Sequence, residues 1–264
     1  MHRSDLRAPI LLAAAALLSS PLPAGAFDEA LYAEILERHT RDVPDLARTR
    51  VDYRALATSP DWKRLVQSLA DSDPSRLRSR DEKLAFWANA YNILAIDLVV
   101  RHYPIDGIKD IGSLFTPVWK MPAGAVGVRS YSLDEIEHDI VRPLGDPRGH
   151  VAVVCASLSC PPLPRVSWSA ARLDDQLDDA MRRWMADPRK GLRIERETRT
   201  VHLSRIFKWF DEDFEASGGA LAFVAPYLEA GDRAWLLEHG ANVRIAYFDY
   251  DWSLNDLDRA PRGS

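Results

Sequence analysis

The longest regular pattern of apolar positions covers residues 80–103, directly before Pro104. It predicts a helix that the proline ends. The polar strip of this helix is narrow, and apolar side chains occupy both remaining faces. A helix that is apolar nearly all round is normally buried in the middle of a domain. We therefore predict one central buried helix.

Two amides, Asn89 and Asn92, lie three residues apart within one apolar face of this helix. A buried amide without hydrogen-bond partners costs about 1–3 kcal/mol. The two side chains can either tie the helix to neighbouring loop backbone or line a cleft. We predict that Asn92 and at least part of Trp87 are buried, and that the Asn92 amide bonds to the backbone of a neighbouring segment.

The other elements are shorter. Apolar spacing predicts helices over residues 28–40, 61–71 and 169–186, with two or three more over residues 204–238. Ser132 and Glu135 match a capping box and open a helix through residue 141. Alternating or β-branched runs predict strands; they cover residues 51–53, 126–131, 150–155, 192–194, 201–203 and 243–250. The fold class is α+β: a small, mainly antiparallel sheet packed against several helices.

The N-terminal segment has the three parts of a secretory signal peptide. Arg3 and Arg7 precede an unbroken apolar run over residues 10–18, and small residues at 24–26 suit a cleavage site. The run is shorter than the roughly 20 residues that a membrane span needs. We therefore predict a signal peptide over residues 1–26, a single domain over residues 27–264, and a periplasmic or secreted location.

Composition narrows the class of partner. A net charge of −5 gives no basic face for nucleic acid. No segment after residue 26 looks long and apolar enough to span a membrane. Phosphate-binding, dinucleotide-binding and metalloprotease motifs are missing from the sequence, so no cofactor is expected. The expected partner is an unknown small-molecule or peptide ligand.

Both cysteines of the chain, Cys155 and Cys160, lie in the stretch DPRGHVAVVCASLSCPPLP at residues 146–164. In an exported protein, two cysteines most often form a disulfide. Bridging requires Cα atoms about 4.4–6.8 Å apart, so the chain must turn at residues 156–159. Ser157 and Ser159 suit such a turn.

Nucleophilic catalysis by Cys155 is the second interpretation, because a thiol becomes reactive beside a base. On a strand over residues 150–155, the odd spacing turns His150 and Cys155 to opposite faces. His138, on the preceding helix, is therefore the better candidate for the base. Three other side chains could orient that imidazole, as the third member of a triad does: Asn89, Asn92 or Asp251.

Two further interpretations stay open. His138, His150, Cys155 and Cys160 could bind a metal, but their spacing matches structural zinc sites poorly, so no metal is expected. Alternatively, the cysteines are two small buried thiols without chemistry. The acidic run at residues 211–213 could hold a hard cation, but such a run is more often a solvated helix face.

Five stretches of the chain resemble the domain of unknown function 547 family. They are KLAFWANAYN (83–92), YSLDEIEHDI (131–140), DPRGHVAVVCASLSCPPL (146–163), LSRIFKWFDEDF (203–214) and YDWSLN (250–255). The resemblance implies little about activity, which is unknown for the family. It implies that Cys155 is the more general feature, because plant members often have serine at the position of Cys160. Val154 stands where members often carry asparagine, and Gly149 where a β-branched residue is usual, so any role for an amide at 154 is lost here.

These observations predict a site where three parts meet: the Asn89/Asn92 face, the His138 helix and the loop at residues 155–162. Cys155 and His138 are the candidate catalytic pair, and the candidate binding residues are His150, Cys160, Trp87 and Asp251. One hypothesis is a thiol-dependent hydrolase or acyltransferase acting on peptide or acyl bonds. The alternative is a non-catalytic periplasmic binding module whose loop is stapled by a disulfide.

Overall fold

A computed structural model describes residues 26–113 and 115–259. Residues 1–25 of the predicted signal peptide lie outside the described residues. The helices are α1 (Glu29–His39), α2 (Tyr53–Thr58), α3 (Pro60–Ala70), α4 (Arg80–His102), α5 (Gly149–Ala152), α6 (Leu173–Met185), α7 (Ile206–Trp209), α8 (Ala220–Val224) and α9 (Ala230–His239). The strands are β1 (Thr40–Asp42), β2 (Thr49–Val51), β3 (Pro122–Val126), β4 (Arg129–Ser132), β5 (Leu192–Glu195), β6 (Thr200–Leu203) and β7 (Arg244–Tyr247).

Helix α4 is the predicted central helix. Ser79 and Glu82 form a capping box at its N-terminus. The helix has 23 residues, and every residue from Leu84 to Ile96 is buried. It packs against α2, α3, α5, β3 and the π-helical segment Glu135–Val141. The prediction of a buried central helix is confirmed.

By length and composition alone, α4 could also cross a bilayer. The expectation that no segment after residue 26 spans a membrane therefore stays a prediction. In the structure, however, 83% of the apolar window of α4 is buried inside the protein. A helix in a protein core and a helix in a bilayer are both surrounded by apolar groups, so the two have similar compositions.

The strands form small sheets. β1 pairs with β2, β3 with β4 and β5 with β6, all antiparallel, and β7 joins β6 in parallel with Thr200 opposite Arg244. The predicted α+β class is confirmed, and so are the predicted strands at residues 192–194 and 201–203, which pair as β5 and β6. The antiparallel pairs lie in three separate sheets, whereas the sequence predicted a single one. Several helices pack around them, and buried apolar residues from Phe27 to Leu254 form one connected cluster.

The predicted strand at residues 150–155 is wrong. Asp146 accepts a hydrogen bond from the Arg148 amide, and Pro147 starts a helical turn that continues as α5. The apolar run after His150 is typical of a strand, but the turn at Asp146 and Pro147 leads directly into a helix. Beyond α5 the backbone is extended, and the Asn92 side chain, rather than a second strand, satisfies its polar groups.

Candidate functional site

A pocket of about 390 Å³ opens beside the two cysteines. Parts of the chain that are far apart in sequence form it: α4, the π-helical segment, the loop after α5, α7 and the segment around residue 250. Its lining residues are Tyr91, Trp119, Leu133, Asp134, Glu137, His138, His150, Val153, Cys155, Cys160, Ile206, Trp209, Phe210, Tyr250 and Trp252.

His150 is the most firmly held polar side chain of this pocket. Only 5% of it is exposed, and its Nε2 lies 2.7 Å from Oδ2 of Asp213. Its ring packs on Phe210 with centroids 4.4 Å apart. The other ring nitrogen, Nδ1, lies 3.9 Å from Oε1 of Glu137. The imidazole is therefore bracketed by two carboxylates.

Asp213 fixes one side of this imidazole and is itself fixed by Arg142. The guanidinium donates to both carboxylate oxygens, at 2.7 and 2.8 Å. Burial alone would raise the pKa of Asp213, but the hydrogen bonds from His150 and Arg142 outweigh burial and hold that pKa well below its usual value. Asp213 is thus an anion that orients His150, as the third member of a catalytic triad does.

Glu137 lies on the other side of the imidazole in a different environment. Burial raises the pKa of its carboxyl, and the positive charges that His150 and His138 can carry oppose that rise only in part. Its nearest donor is the Tyr91 hydroxyl, 3.4 Å from Oε2. A carboxyl with a raised pKa beside an imidazole can exchange a proton or bind a donor on a ligand.

The two cysteines form a disulfide, with Cα atoms 6.3 Å apart. This confirms the first of the four interpretations of the cysteine stretch. In this oxidised form neither sulfur is a thiolate ligand or a free thiol. Among residues 26–113 and 115–259, no group of three or more His, Cys, Asp or Glu side chains could hold a metal ion.

The wall of the pocket beside the disulfide is aromatic. The ring centroids of Tyr250 and Trp252 are 4.4 Å apart, and Trp209 lies 4.8 Å from Tyr250. Trp119 lies 5.7 Å from Trp252, and the Lys109 ammonium sits 4.2 Å from the Trp252 ring centroid. Rings held against one another in this way present flat apolar surface at little entropic cost.

The two amides of α4 do not reach the pocket. Asn89 donates to the carbonyl oxygen of Trp168 at 2.8 Å and accepts from its amide at 2.9 Å. Asn92 donates to the carbonyl oxygen of Ala152 and accepts from the amide of Val154, both at 2.8 Å. The predicted burial of Asn92 and its bond to a neighbouring backbone are confirmed. Neither amide is in a position to orient an imidazole.

Two other predicted site residues also lie away from the pocket lining. Trp87 is buried, as predicted, against Phe86 and Tyr131, with ring centroids 5.4 and 5.0 Å away. The exposed Asp251 accepts from the Ser253 amide at 2.9 Å and so shapes a turn.

Both histidines line the pocket. The strand-parity argument against His150 was wrong, because residues 149–152 are helical. His138 is held more loosely: its side chain is 40% exposed, and Nδ1 lies 4.0 Å from the Asp134 carboxylate. Of the two, His150 has the fixed orientation that acid–base chemistry requires.

Sequence reasoning missed Glu137, Asp213 and the aromatic wall. Glu137 lies two residues after the capping box, and Asp213 belongs to the acidic run that was interpreted as a solvated face. The signal that was available is the aromatic-rich stretch at residues 207–214, in which an acidic residue lies next to a buried Phe214. Such a residue points partly inward and needs a partner.

The fold and pocket together define an α+β protein with a carboxylate–imidazole–carboxylate chain beside a disulfide. The family model described as "Protein of unknown function, DUF547" matches residues 74–185. The resemblance to this family is therefore confirmed over a segment that contains α4, Glu137, His150 and the disulfide. Comparisons with curated proteins and with solved structures found no match.

Proposed function

We propose that the protein is an exported binding module that holds a small organic or peptide ligand in the pocket beside the disulfide. The observation that carries this proposal is the pairing of the half-buried Glu137 carboxyl and the fixed His150 ring with an aromatic wall in one cavity. A volume of about 390 Å³ is in the range of small-molecule sites.

The lining defines the chemistry of the ligand. Trp252, Tyr250 and Trp209 offer flat apolar surface, which suits a ring or the apolar face of a sugar. Glu137 and Asp134 offer carboxylate acceptors to hydroxyl or amine donors. A ligand with one flat apolar face and several donors on its opposite edge would satisfy both walls.

A second function, the thiol-dependent hydrolase or acyltransferase, is favoured by one observation. Cys155 lines the same pocket as His150, whose ring is oriented by Asp213 at 2.7 Å. Those are the three residue types of a thiol triad. In this second function the disulfide must open before Cys155 can attack a carbonyl, so activity would require a reductant.

Export rests on the sequence of residues 1–26 and is in keeping with a disulfide, which persists in oxidising compartments. Intact-mass analysis of the protein purified from a periplasmic extract should find a chain starting at Phe27. A chain that keeps residues 1–26 and remains in the cytosolic fraction would contradict export.

A thermal-shift panel tests the binding function. Neutral disaccharides, aromatic amines and dipeptides are added to the oxidised protein, and a hit should raise the midpoint of unfolding. Trp252→Ala should abolish that rise, whereas Trp235→Ala, outside the pocket, should keep it. A hit that stabilises both variants equally would show binding elsewhere.

A turnover assay separates the two proposed functions. Acyl esters, and peptides joined to a chromogenic amine through an amide bond, are incubated with the protein, with and without dithiothreitol. Turnover that appears only with the reductant and is lost in Cys155→Ser would favour the hydrolase. Binding to the oxidised protein, without turnover in either condition, would favour the module.

A further inference from the structure

We propose that the Cys155–Cys160 disulfide is reactive toward external dithiols, with Cys155 as the attacked sulfur and Cys160 as the leaving thiolate. This goes beyond the proposed ligand binding and does not depend on it. Three features of the described residues carry it: the exposure of each sulfur, the hydrogen bonds around them and the anchoring of the loop.

The two sulfurs differ in accessibility. Both line the pocket, but Cys155 is half-buried, whereas Cys160 is only 2% exposed. An incoming thiolate must approach the sulfur that it attacks, so exchange rates depend on access. The pocket gives that access to Cys155.

The hydrogen bonds favour negative charge on the other sulfur. The Cys155 backbone amide donates to Sγ of Cys160 at 3.0 Å. The Tyr250 hydroxyl faces both sulfurs: it donates to Sγ of Cys160 at 3.3 Å and lies 3.4 Å from Sγ of Cys155. The Ser157 hydroxyl donates to the Tyr250 oxygen at 3.3 Å and lies 3.2 Å from Sγ of Cys155, so the Cys155 backbone amide is the contact that distinguishes Cys160 from Cys155. Donors on a sulfur stabilise its thiolate, and a more stable thiolate leaves faster.

The loop between the cysteines has anchors other than the disulfide. The buried Lys190 ammonium donates to the carbonyl oxygens of Cys160 at 2.7 Å and of Leu158 at 3.1 Å. The Leu158 amide donates to the carbonyl oxygen of Ser253 at 2.9 Å. Opening the disulfide therefore leaves both sulfurs near their original places, so the bond can form again.

The exchange balances as follows. One thiolate of the external dithiol attacks Sγ of Cys155, a bond forms between these two sulfurs, and the Cys155–Cys160 bond breaks with its electron pair going to Cys160. The second thiolate of the donor then attacks the donor's own sulfur in the mixed disulfide and releases Cys155. The donor is oxidised to a disulfide, the two cysteines are reduced by two electrons, and its two protons end on the cysteine thiols.

Two matched variants test which sulfur reacts. Cys160→Ser and Cys155→Ser each leave one free cysteine, and both are incubated with oxidised glutathione at pH 7.5 while mass spectrometry follows mixed-disulfide formation. We expect Cys160→Ser to react at least ~10-fold faster than Cys155→Ser in the folded state. In urea the two should react at the same rate, which normalises for intrinsic thiol reactivity. Equal rates in the folded state, or faster reaction of Cys155→Ser, would overturn the assignment.

The wild-type disulfide tests reactivity itself. Dithiothreitol should reduce it in the folded protein, and Tyr250→Phe, which removes only the hydroxyl, should slow that reduction several-fold. Ser253→Ala keeps the backbone carbonyl that accepts from the Leu158 amide, so it is the control and its disulfide should be reduced at the wild-type rate. Reduction that proceeds only at urea concentrations that unfold the chain would overturn the proposal. The ligand panel uses the oxidised protein, so failure of either experiment leaves the other interpretable.

Discussion

Two polar side chains, the buried Asn92 and the half-buried Glu137, lie near the same stretch of backbone, residues 150–155, and they differ in how many of their polar atoms bond to the protein. On one side, both atoms of the Asn92 amide bond to the backbone at 2.8 Å. On the other, the one hydrogen bond to the Glu137 carboxyl from the described part of the chain comes from the Tyr91 hydroxyl at 3.4 Å, and the carboxyl borders a cavity. A buried amide whose nitrogen and oxygen both bond to the protein backbone stabilises the fold. A polar group that leaves hydrogen-bonding capacity open to a pocket is available to a ligand.

The largest effect that separates the two side chains is expected at Asn92. Asn92→Leu leaves the Val154 amide without its partner, and the Ala152 carbonyl keeps only the Trp168 indole N–H at 3.2 Å, so the free energy of unfolding should fall by about 2–3 kcal/mol. Urea unfolding followed by circular dichroism measures it. The exposed Asn242→Leu is the control and should change little. A midpoint for Asn92→Leu equal to the wild type would show that the amide does not tie α4 to this backbone.

Asp213 should give an intermediate effect with a characteristic pH dependence. Asp213→Asn weakens the bonds to Arg142 and His150, and we expect a loss of about 1–2 kcal/mol at pH 7. The folded-state pKa of Asp213 is lowered, so its contribution is present above the unfolded value near 3.8 and is lost as the pH falls through the folded value. The difference between wild type and variant should therefore narrow as the pH falls below about 5. A difference that stays constant down to pH 2.5 would contradict the ionic role.

The smallest effect is expected at His138. Its side chain is 40% exposed and lies 4.0 Å from its nearest carboxylate, so His138→Ala should change stability by less than about 0.5 kcal/mol. If His138 contacts the ligand, the same variant should still reduce the rise in unfolding midpoint that the ligand causes in the thermal-shift panel. A large loss of stability would mean that His138 belongs to the framework instead.

Local patterns predicted the framework well, and they predicted the site only in part. The period of residues 80–103 and the amides within it could be read directly, because a helix places its neighbours at fixed spacing. The site depends on contacts between residues far apart in sequence: His150 and Asp213 are separated by 63 positions. The strand predicted at residues 150–155 also failed, because Asp146 and Pro147 outweighed the β-branched residues after them. Spacing along the sequence does not predict contacts over such distances. The cysteine pair and His138 were therefore identified from local patterns, whereas Glu137 and Asp213 were not.

The unfolding free energy of Glu137→Gln at pH 8 tests the central claim most directly. The folded-state pKa of Glu137 is raised, so its favourable contribution is present below the unfolded value near 4.5 and is lost as the pH rises through the folded value. At pH 8 the glutamine, which keeps the shape and needs no charge in the pocket, should be as stable as the wild type or more stable, while ligand binding is lost. A fall of several kcal/mol, as large as that expected for Asn92→Leu, would contradict the account and make Glu137 part of the framework.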